Sequence, residues 1–304
     1  MTAGIKSERV QGRSRGNLPV FAVFVIIALV AGVQPTVAGE LPGPDLLGLR
    51  VGMTPEEALP ILKTRAPKEK WQTVRVKLQF QNSKQMNAHV PNGEFQAVLE
   101  NKRVHSALNH YVVFLTPTPG EERVAAVLRI QNFGEERPLF TQVIAGLIEK
   151  YGNPSYSQDP QYGGGKLVWA FDTNGKPRPM GIPKSIQNVM GFPCTNGVAL
   201  PYLDREVVGW STKYEPLGKA FDIGGGKPGN VSYVNACGST MVRATVIPFG
   251  GLGGEFAQGL TVELIGHSLA TAGKQSADKL TESAIADDLA RERGAAQKRS
   301  KPDI

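Results

Sequence analysis

Histidine is the first side chain to consider as a metal ligand or a general base, and the chain has four: His89, His105, His110 and His267. His105 and His110 stand five residues apart, so a single strand would place them on opposite faces, although a turn between them could bring them together. A metal site needs three or four converging ligands, and no Asp or Cys stands near this pair. We therefore predict no metal ligand.

Two pairs of adjacent carboxylates, Glu121–Glu122 and Glu135–Glu136, could serve in general acid and base catalysis. Each pair lies in or next to a predicted turn, where neighbouring acids are solvated, whereas the raised pKa of a general acid requires burial. The chain also lacks a G-x-S-x-G nucleophile motif. The sequence therefore predicts no catalytic residue.

Two glycine-lysine segments, YGGGKL at 162–167 and IGGGKP at 223–228, resemble part of a phosphate loop. The full signature requires Ser or Thr after the lysine and then a helix, but Leu167 and Pro228 stand at the hydroxyl position. A predicted strand follows the first segment. We interpret both segments as flexible hairpin loops and predict no bound cofactor.

The first 38 residues have the order of a secretory signal peptide. A polar stretch with four basic residues precedes the apolar run LPVFAVFVIIALVAGV, and Thr36 and Ala38 are small residues around a cleavage site. The apolar run has 16 residues, short of the roughly 20 that a spanning helix needs, so an uncleaved anchor is the weaker interpretation. We expect cleavage after Ala38 and a periplasmic or secreted protein with no stable insertion into the membrane.

Cleavage would also remove much of the positive charge. The whole chain carries a net charge of +7, whereas residues 39–304 contain 30 Lys and Arg and 26 Asp and Glu, a balance of +4. A nucleic-acid-binding protein would keep a clustered basic face in its folded part. The composition therefore argues against nucleic acid as a partner.

The chain has two cysteines, Cys194 and Cys237. In an exported protein such a pair is interpreted first as a disulfide, which for a loop of this size would stabilise by roughly 4 kcal/mol in the chain-entropy model. A metal site is the weaker alternative, because the cysteines are far apart in sequence and no nearby His or Cys completes a ligand set. We predict the disulfide.

Apolar residues alternate with polar ones in TVRVKLQFQ at 73–81, which predicts a half-buried strand. In PLFTQVIAGLIEKYG at 138–152 they recur every three or four residues, which predicts a helix that ends at Gly152. Further strands are predicted at EFQAVLE, HYVVFLT, RVAAVLRIQ, KLVWAFD, EVVGWSTKY, VSYVNAC, GSTMVRATVIP and GLTVELIGHSL. The strands up to RVAAVLRIQ are expected to form an antiparallel meander exposed on one face.

These elements predict an α+β fold, with antiparallel β-rich units, a few packed helices and a charged C-terminal helix. A Pro-rich irregular stretch at 175–197 suggests a boundary. The predicted organisation is a signal peptide at 1–38, an α+β module at 39–175, a second β-rich unit at 176–272, and a C-terminal helix and flexible tail at 273–304. Whether the two units form one domain or two stays open.

The tail from about Thr271 is rich in Ala, Ser and charged residues. Its main large apolar residues are Leu280, Ile285 and Leu289, which predict a thin apolar stripe along the helix. We expect its end to fray from about Gly294.

The segment GLRVGMTPEEAL at 48–59 is typical of a helix start. Thr54 is a good N-cap, Pro55 suits the first helical position, and Glu57 can close a capping box by reaching back to the Thr54 amide. Gly52 is expected to let the chain turn sharply before the helix. Pro60 is expected to limit this helix to little more than one turn, or to kink it.

Within this segment, GMTPEE at 52–57 resembles the GMT/S-x-E-E opening of small exported bacterial modules. These include outer-membrane assembly lipoproteins of the SmpA/OmlA type and the related β-lactamase-inhibitor-like fold. The later EKYGNPS, followed by VWAF, is similar to the turn that leads into their antiparallel strands. The resemblance covers the motif and the plan of residues 42–175; it implies a scaffold or binding role and transfers no functional residue.

The sequence thus predicts a non-catalytic periplasmic binding or scaffold protein of the cell envelope, with an envelope protein as its partner. One alternative is a secreted inhibitor that blocks a hydrolase with an exposed Gly-rich loop. Another is an envelope enzyme acting on glycans, which would need two carboxylates roughly 5 to 9.5 Å apart in a cleft.

Overall fold

The structure of the protein is a computed structural model, which describes residues 43–101, 109–158, 165–179, 238–251 and 253–299. The predicted signal peptide and both cysteines of the predicted disulfide, Cys194 and Cys237, lie outside the described residues. So do His105, the second glycine-lysine segment and the strands predicted at EVVGWSTKY and VSYVNAC.

The described part of the chain contains nine strands and three helices. The strands are β1 (Trp71–Gln81), β2 (Asn87–Asn101), β3 (Asn109–Leu115), β4 (Val124–Asn132), β5 (Tyr156–Gln158), β6 (Gly165–Phe171), β7 (Pro177–Arg178), β8 (Thr240–Pro248) and β9 (Ala257–Gly266). The helices are α1 (Pro55–Arg65), α2 (Phe140–Tyr151) and α3 (His267–Arg299). These elements confirm the predicted α+β class.

All nine strands belong to one antiparallel sheet, in the order β1-β2-β3-β4-β9-β8-β6-β5, with β7 paired to β6. β8 and β9 come from the region predicted as a second unit at 176–272. In the sheet, β9 pairs with β4 from Ala126↔Ile265 to Asn132↔Gly259, and β8 pairs with β6. The described strands of the two predicted units therefore share one sheet.

Both faces of the central strands are buried, so the expectation of a meander exposed on one face is wrong for them. In β3, every residue from His110 to Leu115 is buried. On one face, which we call the α1–α2 face, Leu62 and Leu147 of the two helices pack in the same cluster as Val113 and Val127. On the opposite face, the α3 face, Val112 and Leu128 cluster with α3. The helices that bury these two faces lie outside the meander in sequence. Local alternation within the strands therefore does not predict that both faces are buried.

Helix α1 starts as the sequence predicts, with a complete capping box at Thr54 and Glu57. The Glu57 amide donates to Thr54 Oγ1 over 3.2 Å, and the Thr54 amide donates to Glu57 Oε2 over 2.8 Å. Gly52 has a φ of 92°, in the left-handed region that favours glycine, and its amide donates to the Val124 carbonyl. The motif therefore begins the helix and ties its start to β4.

Replacing Thr54 with alanine is expected to lower the free energy of unfolding by about 1 kcal/mol, because one capping acceptor is lost, and to leave partner binding unchanged. Urea denaturation measures the loss. Glu56→Gln is the matched control: it lies in the same helical turn outside the box and should cost only a few tenths of a kcal/mol. Equal stability of the Thr54→Ala variant and the parent protein would contradict the prediction.

Pro60 does not end or shorten α1, which continues for 11 residues to Arg65, so the expectation of a helix of about one turn is wrong. Pro60 lies on the exposed side, where the Glu56 carbonyl that loses its amide donor faces solvent. Ala58 and Leu62 are buried on the other side. Their packing offsets the cost of the missing hydrogen bond.

Helix α2 and its C-terminal stop at Gly152, with a φ of 79°, agree with the predicted helix at 138–152. The buried Tyr151 ends the helix and donates from its hydroxyl to the Asp45 carbonyl over 2.9 Å. Its ring lies 5.3 Å from that of Trp169, whose indole nitrogen donates to the Gly152 carbonyl. Trp169 is therefore a core residue.

Helix α3 differs from its prediction at both ends and in its packing. It begins at His267 directly after β9, earlier than the predicted 273, and it continues past Gly294 to Arg299. Leu280 and Leu289 of the predicted apolar stripe are 38% and 41% exposed. The buried positions are alanines seven residues apart, Ala270, Ala277 and Ala284. Small side chains let the helix lie close to the sheet, which a search for large apolar residues misses.

Among the described helices, none is both long and apolar enough to span a membrane.

Candidate functional site

The structure describes three of the four histidines. His89 is exposed on β2, His267 begins α3, and His110 is buried on β3 with its Nε2 atom 3.9 Å from Glu100 Oε2. Within the described ranges, no group of three or more His, Cys, Asp or Glu side chains could hold a metal ion.

The two adjacent carboxylate pairs lie at the surface. Glu121, Glu135 and Glu136 are exposed. Glu122 is half-buried because its Oε1 atom accepts from the Gln96 amide over 2.9 Å. None of these four side chains has the burial that would suit a general acid.

Two other carboxylates, Glu100 and Glu263, are buried on the α3 face, and sequence analysis did not single them out. Glu263 on β9 forms an ion pair with Arg243, its direct cross-strand neighbour on β8. Glu100 on β2 accepts from Gln72 Nε2 on β1 over 2.5 Å. Both carboxylates therefore have polar partners within the sheet.

The register separates these two carboxylates widely. Glu100 lies opposite Val112 on β3, Val112 lies opposite Leu128 on β4, and Leu128 lies opposite Glu263 on β9. Three strand spacings put the two Cα atoms about 14 Å apart. Their partners Gln72 and Arg243 lie on β1 and β8, outside the interval between the two carboxylates. This pair does not match the roughly 5 to 9.5 Å separation of glycosidase carboxylates.

His267 adjoins the ion pair. Burial and the positive charge of Arg243 lower the pKa of its imidazole from 6.5 to about 4. At neutral pH the side chain is therefore uncharged. Its Nε2 atom is buried and has no hydrogen-bond partner among the described residues, which suits a neutral group inside the core.

Among the described residues, three of the six exposed large apolar side chains lie at the turn between β8 and β9. Ile247, Phe249 and Phe256 are 45%, 44% and 43% exposed. Ile247 and Phe249 are two residues apart and share a face of the hairpin. The Phe249 amide donates to the Phe256 carbonyl over 2.8 Å, which places Phe256 opposite Phe249 on that face. We call these three residues the hairpin patch.

The hairpin patch is held in a defined shape by its surroundings. The Arg137 guanidinium lies 3.6 Å from the centre of the Phe249 ring. The segment before α2 is tied to β9, because the Ala257 amide donates to the Pro138 carbonyl over 2.9 Å. A Cβ atom on Gly254 would lie 2.1 Å from the Phe249 carbonyl oxygen, so the turn requires glycine there. The aromatic rings are thus exposed on a pre-organised hairpin.

Acidic side chains lie on the segments next to the hairpin patch. Glu255 precedes Phe256, and Glu135 and Glu136 lie on the segment before α2; all three are exposed. Arg137 is the cation of this segment, and its charge lies over Phe249. The segments that adjoin the apolar patch therefore carry three exposed carboxylates and one cation, which stacks on Phe249.

Sequence analysis missed the hairpin patch. Its signal is the pair of phenylalanines on either side of the turn GGLGG at 250–254. A phenylalanine next to a strand is assigned to the core by default, so this signal indicates a surface only once the burial is known.

Comparison of the chain with protein-family models, curated proteins and solved structures finds no match.

Proposed function

We propose that the protein is an exported, non-catalytic binding or scaffold protein of the cell envelope, and that the hairpin patch is its contact with a protein partner. The observation that supports this is the exposure of Ile247, Phe249 and Phe256 together on one hairpin face. Contiguous exposed apolar residues with a polar border are typical of interaction sites. Aromatic side chains held rigidly lose little entropy on binding.

The border of the hairpin patch indicates the chemistry of the partner. Glu135, Glu136 and Glu255 favour an apolar pocket edged by Lys or Arg. The same charges oppose an anionic lipid surface and a second copy of the patch. A basic-edged pocket on another envelope protein is therefore the proposed partner surface.

The double variant Phe249→Ser/Phe256→Ser is expected to reduce capture of the partner about tenfold or more, because it removes two aromatic rings that the bound partner would bury. The measurement is a pull-down from envelope extract with the tagged full chain, with the captured proteins identified and quantified by mass spectrometry. Leu280→Ser/Leu289→Ser on α3 is the matched control, since those leucines are about equally exposed. It should capture as much partner as the parent protein.

The identity of the captured protein separates the candidate roles. Membrane-assembly components lost with the phenylalanine variant support a scaffold. One stoichiometric hydrolase lost in the same way supports the inhibitor, for which the Gly-rich hairpin would be the blocking loop. Equal capture by both double variants would refute the hairpin patch as the contact. A captured chain beginning at Gly39 would support cleavage after Ala38 and export.

A further inference from the structure

We propose that the β1 edge of the sheet binds an anionic lipid surface, through contacts between exposed lysine and arginine side chains and the phosphate groups of the lipids. The inference uses no residue of the hairpin patch and rests on the proposed function only for the location in the cell envelope. The side chains are six exposed cations, which we call the basic edge: Lys63, Arg65, Lys68, Lys70, Arg75 and Lys77.

The basic edge concentrates the positive charge of the chain. Residues 63–77 contain six Lys and Arg and one Asp or Glu, whereas the rest of residues 39–304 contains 24 Lys and Arg and 25 Asp and Glu. The net positive charge of residues 39–304 therefore comes from this segment. A balance taken over the whole chain does not show this clustering.

Strand β1 carries two of the cations on one face. In the described part of the chain, β1 has one neighbouring strand, β2, and so forms an edge of the sheet. Val76 packs in the cluster of the α3 face, so its neighbours Arg75 and Lys77 lie on the α1–α2 face. Both reach the same carboxylate, Glu94 on β2, over 3.7 Å. Two cations share one anion, so this part of the edge stays positive.

The other four cations precede β1 at the same edge. Helix α1 packs on the α1–α2 face through Leu62 and carries two cations in its last turn. Two lysines follow on the connection at 66–70, and the acid between them, Glu69, accepts from Asn101 Nδ2 over 3.1 Å. The basic edge therefore begins at the end of α1 and follows β1 for about 20 Å.

The composition of the basic edge favours a lipid surface over a protein. Protein interfaces have an aromatic or apolar centre and are depleted in lysine. Four of the six cations are lysines, and none of the six exposed large apolar side chains among the described residues lies within 43–77. Exposed lysines are attracted to phosphate headgroups without a fixed geometry, each contributing about fivefold in affinity.

The edge is poorly suited to pairing with a strand of a partner. The β1–β2 register shifts between Val74 and Arg75 and again between Lys77 and Gln79. Such irregularities and exposed cations protect edge strands from added strands. The hairpin patch lies on β8 and β9, about 20 Å across the sheet from β1. A lipid surface at the basic edge would therefore leave the hairpin patch accessible to its partner.

Sedimentation with lipid vesicles tests the proposal. The protein as exported is mixed with vesicles of phosphatidylcholine alone, or of phosphatidylcholine with about one-third phosphatidylglycerol. We expect binding to the anionic vesicles, little binding to the neutral ones, and weaker binding at high salt, because salt screens exposed charges. The triple variant Lys68→Gln/Lys70→Gln/Lys77→Gln should bind the anionic vesicles about a hundredfold more weakly than the parent protein.

The matched control is Lys176→Gln/Lys279→Gln/Lys298→Gln, which removes three exposed lysines elsewhere and gives the same net charge. It should bind the anionic vesicles nearly as tightly as the parent protein. Equal binding of the parent to both vesicle types, or equal losses in the two triple variants, would overturn the proposal.

A protein partner at this edge is the other outcome to detect. Capture of an acidic protein by the parent but not by the basic-edge variant, with no vesicle binding by either, would also overturn the proposal. The Phe249→Ser/Phe256→Ser variant should bind the anionic vesicles as the parent does. Vesicle binding and capture at the hairpin patch therefore succeed or fail separately.

Discussion

Replacing Arg243 with leucine is expected to lower the free energy of unfolding by about 3 to 5 kcal/mol. The Arg243 and Glu263 side chains face each other across β8 and β9 and are only 11% and 8% exposed. Leucine would leave the Glu263 carboxylate buried in the sheet without its charge partner. A lone buried charge loses its hydration and gains nothing in return. Urea denaturation followed by circular dichroism measures the loss.

Two further variants show whether the unpaired charge is the cause. The double variant Arg243→Leu/Glu263→Leu removes both charges beside the apolar neighbours Leu128 and Val168, and should recover most of the stability. Arg75→Leu breaks the exposed pair with Glu94, whose side chains are 60% and 44% exposed, and should cost less than about 1 kcal/mol. An Arg243→Leu loss no larger than the Arg75→Leu loss would contradict the argument.

Local features of the fold could be predicted from the sequence because they depend on neighbouring residues. The alternation in TVRVKLQFQ gave β1, the helical spacing at 138–152 gave α2, and Gly152 marked its end. The capping box at Thr54 also follows from four adjacent residues. Each of these signals lies within about one element.

The features that sequence analysis missed depend on contacts between distant segments. The pairing of β9 with β4 joins residues more than 100 positions apart, and no local pattern encodes it. Pro60 is tolerated because the other side of α1 is packed. Alanine is a weak hydrophobic signal, so the buried face of α3 at Ala277 and Ala284 could not be separated from its solvent face.

The candidate sites depend even more on burial. Phe249 on the hairpin and Trp169 in the core both stand in or beside strands, and only the structure separates the exposed ring from the buried one. Arg75 and Lys77 stand in the alternating strand TVRVKLQFQ, and only the sheet order shows that this strand lies at the edge. Sequence patterns therefore identified the strands but not the surfaces that they form.

His267 has the other large expected effect, a loss of stability in mild acid. Its imidazole is buried beside Arg243, which lowers its pKa in the folded protein to about 4. Arg243 is itself paired with Glu263, which lies opposite it on β9. In the unfolded chain the imidazole titrates near its ordinary value of 6.5. Between these two pH values the unfolded chain binds a proton that the folded protein does not. The contribution of the neutral imidazole to the free energy of unfolding is therefore fully present above about pH 6.5 and is lost as the pH drops to 4.

We expect the free energy of unfolding to fall by about 3 kcal/mol from pH 7 to pH 4 because of His267. His267→Gln cannot take up this proton, so its free energy of unfolding should fall by about 3 kcal/mol less than that of the parent protein between pH 7 and pH 4. His89→Gln is the control: it replaces an exposed histidine and should show the pH dependence of the parent protein. Asp45, whose pKa lies below its usual 3.8, loses its contribution mainly at lower pH and does not obscure the comparison. NMR titration of the His267 ring in the parent protein gives the same answer independently of how the variant folds. An ordinary imidazole pKa, or the same pH dependence in His267→Gln and the parent, would refute the prediction.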